Sequence, residues 1–342
     1  MSRAQLTSTD QQNSGGAVAP VIAGKNALAN GAFEIWQRGT SFNTASAYTA
    51  DRWQQYSNSA QSVSRQATSD STNLPNIQYC ARVQRNNGSS STAALAFDQN
   101  LETVNSIPFA GKTITYSFYA RAGANYSATS NVLNAQIVGG TGTDQNLITG
   151  YTGQVNIISS TLTLTTTWQR FSFTATVGTN YTQLAARTYY IPTGTAGASD
   201  YYEITGVQLE VGSVATPFSR AAGTLQGELA LCQRYYWRNP STGLYASYGV
   251  GYGGSSTISE YLVVTPVTMR TIPTSIDYAN LGASVYGSGP VAVTSLGLSS
   301  TEPTQNSMVL IATHSSGITT GKPYFLANAA SSSGYLGFSA EL

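Results

Sequence analysis

Residues 112–121 read KTITYSFYAR, and the alternation in that run decides the fold. Ile114, Tyr116 and Phe118 fall on one side of an extended chain, while Thr115, Ser117, Tyr119 and Arg121 fall on the other. One apolar and one polar side is the pattern of a strand with a single buried face. The same pattern recurs on both flanks. In WQRFSFTATV (168–177) the apolar set is Phe171, Phe173, Ala175 and Val177, and in IQYCARVQR (77–85) it is Ile77, Tyr79, Ala81 and Val83. Clusters of Gly, Asn and Ser such as RNNGSSS, VGGTGT and PTGTAGAS separate such runs as turns. Residues 25–222 therefore read as an antiparallel sandwich or jelly roll.

Residues 223–238, GTLQGELALCQRYYWR, break the period. Leu225, Leu229, Cys232 and Tyr236 are spaced by four, three and four, which places them on one stripe of a helix. The stripe suits a short helical connector packed on a sandwich, and it equally suits the seam of a parallel oligomer. From 239 to 342 the alternation returns, in LYASYGVGY, EYLVVTP, SMVLIATHS, KPYFLANAA and YLGFSAEL. Pro266, Pro273, Pro303 and Pro323 fall at the edges of these runs, where a missing N–H does least harm. This stretch reads as a second, smaller β-sandwich head, with its last apolar run tied into a sheet. The expected fold class is all-β throughout, apart from the connector.

Composition narrows the function. Only 9% of the 342 residues are charged, against roughly 25% in an ordinary soluble domain. Polarity comes from Ser, Thr, Asn, Gln and 22 tyrosines, and so little charge fits surfaces covered by other subunits. Net charge is +1 with Lys and Arg dispersed, so no basic face for nucleic acid is expected. No apolar run is long enough for a membrane span, and the N-terminal MSRAQLTSTDQQNSGG has no signal-peptide core. The expectation is a chain made in a cytoplasm, without membrane insertion. Residues 1–24 are polar and aperiodic and read as an extended arm that a partner orders. Cys80 and Cys232 stand far apart and read as free, buried thiols.

Three stretches carry a family resemblance. NALANGAFEIWQRGTSF followed by YTADRW resembles the start of a domain common in bacteriophage tail fibre and virion structural proteins. GVQLEVGSVATPFSR with ELALCQRYYWR is similar to its close, and LVVTPVTMRTIPT resembles the C-terminal head of the same proteins. The first domain also looks like a family 4/9 carbohydrate-binding module. The resemblance implies a fibre that adheres to host surface polysaccharide, a homotrimer, and an arm over 1–24 anchored on another virion protein. It also implies a virion location after assembly in the host cytoplasm. A capsid decoration or head fibre is the alternative, and a polysaccharide depolymerase a second one. Relatives often hold calcium near the first strand, at the position of Glu34. Here Gln208 stands where a second acidic ligand is common, with Glu210 beyond it, so no metal and no other cofactor is expected.

Catalytic motifs are few. The single histidine, His314, lacks a nucleophile-elbow pattern around it, and two distant cysteines with one histidine make no zinc site. A depolymerase needs two carboxyl groups about 5–10 Å apart. Asp51, Asp98, Glu102, Asp200 and Glu203 are the candidates, better read as turn residues or arginine partners, so no enzyme is expected. Glycans are held by aromatic faces flanked by polar groups. The outward side of the strands offers Arg82, Tyr119 and Arg121 for this. The head offers Tyr245, Tyr248, Tyr252 and Tyr261, since tyrosine gives large contact area at low entropy cost.

Overall fold

The computed structural model describes residues 24–342, except 75 and 242. The arm expected over 1–24, with its virion partner, lies outside the described residues apart from Gly24. The first domain holds ten strands: β1 (Ser41–Tyr48), β2 (Gln54–Ala67), β3 (Tyr79–Arg85), β4 (Leu95–Asn100), β5 (Thr113–Ala122), β6 (Val132–Gly140), β7 (Val155–Thr163), β8 (Gln169–Thr176), β9 (Gln183–Tyr190) and β10 (Tyr201–Val211). A one-turn helix α1 (Thr103–Ser106) follows β4. The strands pair in the order β7-β6-β9-β4-β2-β3-β10-β5-β8, with β1 on β2.

The long strand β2 serves both layers of the sandwich. Its first residues, Gln54–Tyr56, pair with β4, and Gln61–Ala67 pair with β3. One layer is thus β7-β6-β9-β4-β2 and the other β2-β3-β10-β5-β8. Between them lie Ile114, Tyr116 and Phe118 of β5, all fully buried, with Leu133, Ile137, Phe97, Tyr202 and Ile204. The alternation in 112–121 is therefore the inner face of a central strand. Phe171, Phe173 and Ala175 are only half-buried because β8 is an edge.

The NALANG run ties the start of the domain to its end. Asn26 donates to Val207 O (3.0 Å) and Ser219 O (3.1 Å) and accepts from Leu28 N and Leu209 N, stitching the entry of the domain to its last strand. Gly31 donates no side chain because a Cβ there would sit 2.2 Å from Val207 O. Gly206, at φ 58°, opens the GVQLE run in a left-handed conformation that glycine adopts without strain.

The connector differs from the expectation over 223–238. Helix α2 spans Leu225–Gln233, capped by Thr224, whose side chain accepts from Gly227 N (3.1 Å). Tyr236 already belongs to a strand. The four-residue stripe does not survive as one seam: Leu225 is exposed, Leu229 half-buried, and Cys232 and Tyr236 buried. The helix instead packs Glu228 and Cys232 inward. Glu228 accepts from Asn30 N and Ala222 N, so an anion replaces the leucine that the spacing put on the buried side.

The head comprises β11 (Tyr236–Pro240), β12 (Ser247–Gly253), β13 (Ile258–Val264), β14 (Ser275–Ala279), β15 (Leu281–Ser284), β16 (Val291–Ala292), β17 (Ser295–Leu298), β18 (Ser307–Thr313), β19 (Pro323–Asn328) and β20 (Tyr335–Ser339). Seven form a sheet in the order β16-β15-β19-β12-β13-β18-β17, and three form a second, β11-β20-β14. Tyr261, Val263, Leu310 and Leu326 from the first sheet meet Trp237, Leu336 and Phe338 from the second. Trp237 and Phe338 stack at 5.6 Å.

The two domains meet through buried polar groups. Arg52 and Glu341 form an ion pair with both side chains nearly inaccessible, and Arg52 also donates to Asn100 O (2.6 Å). The guanidinium lies 3.4 Å from the ring centre of Tyr235, and Arg38 lies 3.5 Å from that of Tyr236. Tyr235 and Arg234 close on Glu102. Removing either partner of such a pair leaves a charge buried without compensation.

Candidate functional site

The outer face of the β7-β6-β9-β4-β2 layer carries two rows of side chains, fixed by strand register. One row runs Gln54, Asp98, Arg187, Gln136 and Ser159. The next runs Tyr56, Ala96, Tyr189, Asn134 and Thr161. Alternation along each strand puts both rows on one face, because Phe97 and Ala135 between them point into the core. Tyr56 and Tyr189 stand two strands apart, about 10 Å at the usual strand spacing. Between them Ala96 contributes only a methyl group. The result is a slot: a groove of about 350 Å³ lined by Tyr56, Asn58, Ala96, Gln136, Arg187 and Tyr189, with Gln154 and Asn156 at its rim.

Arg187 forms the fixed end of this slot. Its Nε and Nη2 donate to Asp98 Oδ1 (2.8 Å) and Oδ2 (2.7 Å), a two-pronged pairing that holds the guanidinium plane. Burial raises the pKa of Asp98 above the ordinary carboxylate value, against the pull of Arg187. Burial lowers that of Arg187, and the adjacent carboxylate more than offsets this, so the guanidinium stays charged. Gln136 Nε2 makes only a long 3.4 Å bond to Ser159 Oγ. Among the described residues the hydroxyls of Tyr56 and Tyr189 have no hydrogen-bond partner in the protein. The slot thus offers two ring faces, two open hydroxyls and several amides, with its one ion pair neutralised internally.

The residues singled out from sequence lie elsewhere. Arg82, Tyr119 and Arg121 sit on the outer face of the opposite layer. Arg82 donates to Glu203 Oε1 (2.9 and 2.7 Å) and Arg121 to Oε2 (2.6 Å), so both are spent on one fully buried carboxylate. Their outer sides rest on the rings of Tyr201 (4.0 Å) and Trp168 (4.8 Å). Tyr119 is half-buried against the cluster of Ile77, Cys80 and Trp168. In the head, Tyr245 and Tyr252 are exposed. Tyr248 and Tyr261, expected at the surface, are instead buried, Tyr248 Oη donating to Asn328 Oδ1 (2.6 Å) and Tyr261 lying 3.0 Å from Ser259 Oγ. The bulge between Ser247 and Gly249 turns Tyr248 inward, a shift of register no alternation shows.

The other acidic and basic candidates are engaged. Asp200 pairs with Arg85 (3.4 Å) and Glu102 with Arg234 (3.0 Å), while Asp51 accepts from Gln37 N (2.8 Å). Glu34 is held by Arg220 through two 2.6 Å bonds. No cluster of three metal-ligating side chains occurs among the described residues. His314 is buried, with Nδ1 donating to Ala292 O (2.9 Å) and Nε2 2.7 Å from Ser259 Oγ. Burial lowers its pKa, which suits a neutral ring inside the head. Cys80 and Cys232 are free and buried, and burial pushes both thiols up. No described helix is long and apolar enough to cross a membrane.

No known protein-family pattern and no curated protein matches this sequence. Among solved structures, the chain is similar to a family 4 carbohydrate-binding module at 17% identity and TM-score 0.32, over 54% of this chain and 99% of that one. It is similar to the enzymatically active domain of tailspike protein 4 of bacteriophage CBA120 at 11% identity and TM-score 0.35, over 55% and 21%. A family 61 carbohydrate-binding module solved with β-1,4-galactotriose aligns at 12% identity and TM-score 0.32, over 55% and 99%. At such identities and scores the likeness does not say what this chain binds.

Proposed function

We propose that this chain is a non-catalytic adhesion protein of a bacteriophage particle that holds a host surface polysaccharide in the slot between Tyr56 and Tyr189. The slot itself carries the reading. A pyranose ring presents C–H faces that stack on aromatic rings and a rim of hydroxyls that need partners. Tyr56 and Tyr189 supply the faces on either side of a floor kept low by Ala96. The Tyr hydroxyls, Gln136 and Asn156 supply partners at the rim. Arg187, locked by Asp98, lines the same groove. The neutralised pair suits uncharged sugars better than acidic ones.

The order of the NALANGAFEIWQRGTSF, GVQLEVGSVATPFSR and LVVTPVTMRTIPT stretches supports the virion setting. A homotrimer would present three slots on one particle appendage and raise avidity without any strong single contact. The test is calorimetric titration with neutral oligosaccharides cut from host surface polysaccharide. Tyr189→Ala and Tyr56→Ala should each weaken binding by about ten-fold, equivalent to ~1.4 kcal/mol. Unchanged affinity in the folded double variant overturns the slot. Reducing ends released by the wild-type protein overturn the non-catalytic reading.

A further inference from the structure

The outer face of the head's seven-stranded sheet has an unusual composition. Register aligns Ser284, Phe325, Val250, Leu262 and Val309 in one row across β15, β19, β12, β13 and β18. The next row aligns Pro323, Tyr252, Glu260, Ile311 and Gly297. Val250, Tyr252, Leu262, Val264, Ile311 and Phe325 are between 38% and 64% exposed. These six form one contiguous patch on the order of 500 Å², at the upper range of what a monomer leaves uncovered. Four of the six, Val250, Leu262, Val264 and Ile311, are aliphatic and offer a sugar neither a ring face nor a hydrogen bond. They fit another protein surface.

We infer that this face is where copies of the chain contact one another. Two observations support a second copy as the occupant. First, the whole chain is poor in charge, at 9% of its residues against roughly 25% in an ordinary domain, so another copy can meet this face without burying an unpaired ion. The two rows hold a single charged side chain, Glu260, and Tyr252 Oη already donates to it (2.8 Å). Second, the patch has the right size. Its apolar area is roughly two thirds of the about 800 Å² that each partner contributes to a standard interface. At one end it runs into a cleft of about 490 Å³ lined by Tyr245, Tyr286 and Phe325, a socket for an apolar side chain of the second copy.

The inference deepens the homotrimer reading by locating its contact, and it is independent of the slot. Light scattering over a series of concentrations tests it with Leu262→Glu and Val250→Lys. Both side chains are directed away from the head core, so the sheet should keep its fold; circular dichroism and thermal unfolding check this. Val104→Glu, on the exposed surface of α1, is the control. The wild type and the control should weigh several chains. Each head variant should weigh one chain, or dissociate at a concentration at least about ten-fold higher, ~1.4 kcal/mol. Should a head variant misfold, Phe325→Ser makes the same test with a smaller change. A multimer untouched by the head variants overturns the contact and leaves the trimer standing. A monomeric wild type overturns both.

Discussion

Two sheets in this chain show their outer faces in opposite ways. The jelly-roll layer carries Gln54, Asp98, Arg187 and Gln136 in one row and Tyr56, Tyr189 and Asn134 in the next. The head sheet carries Phe325, Val250 and Leu262, then Tyr252, Glu260 and Ile311. Both are antiparallel, and both are backed by a packed apolar core. What differs is the work left for a partner. The first face meets water with its polar groups partly unengaged and a gap at Ala96, which suits a small polar ligand. The second meets water with branched aliphatic side chains, whose exposure favours covering by more protein.

The largest expected effect probes how far each face depends on its charges. Asp98 is fully buried and paired with Arg187, whose side chain is 19% exposed. Asp98→Ala leaves that guanidinium without its partner, and destabilisation of about 3 kcal/mol is expected in chemical denaturation. Glycan titration should fail in the same variant, because Arg187 loses the orientation that Asp98 imposes. Retained stability would show that the row is a solvated surface and not a built site.

A smaller effect concerns the junction that joins the two regions. Asp51 is buried beside Gln37 and near Arg38 and Glu341, and burial pushes its carboxyl up to about 6 from an ordinary 3.8. A folded value above the unfolded one means the proton is held more tightly in the native state. Its contribution to stability is then complete below about pH 3.8 and lost as pH rises through 6. Asp51→Asn should remove up to about 3 kcal/mol of pH dependence across that window. Denaturation midpoints measured between pH 4 and 8 (a range set by ordinary carboxylate titration) would check this, and an unchanged slope would sink it.

The smallest effect returns to the head. Glu260 is partly exposed and, among the described residues, bonded only to Tyr252 on its own sheet. Glu260→Gln should change stability by less than about 0.5 kcal/mol, in line with other exposed polar pairs. The same change should leave the assembly intact or slightly tighter, since one charge no longer has to be taken out of water at the contact. A marked loss of association on light scattering would mean that Glu260 reaches a cation on the neighbouring copy, and that the face is not matched by its apolar surface alone.

Alternation made the inner face of β5 legible, because a period of two needs only neighbouring residues to be read. The slot was not legible in the same way. Tyr56 and Tyr189 stand on β2 and β9, far apart in sequence, and become neighbours only through β4 between them. Arg82 and Arg121 drew attention because they alternate outward beside aromatic residues, yet register sets Glu203 between them. The helix stripe failed for a related reason. Spacing alone could not say that Tyr236 had left the helix, or that backbone N–H groups of Asn30 and Ala222 would draw Glu228 inward.

What the sequence determined by itself is an all-β chain of two sandwich domains with a short helix between them, because alternation, turn residues and scarce charge are local properties. The tertiary structure decided which polar residues share a face, which arginines are spent on buried carboxylates, and which aliphatic side chains stay uncovered. Those outcomes depend on strand order and register, which hydrogen bonds between distant segments fix and no local pattern records.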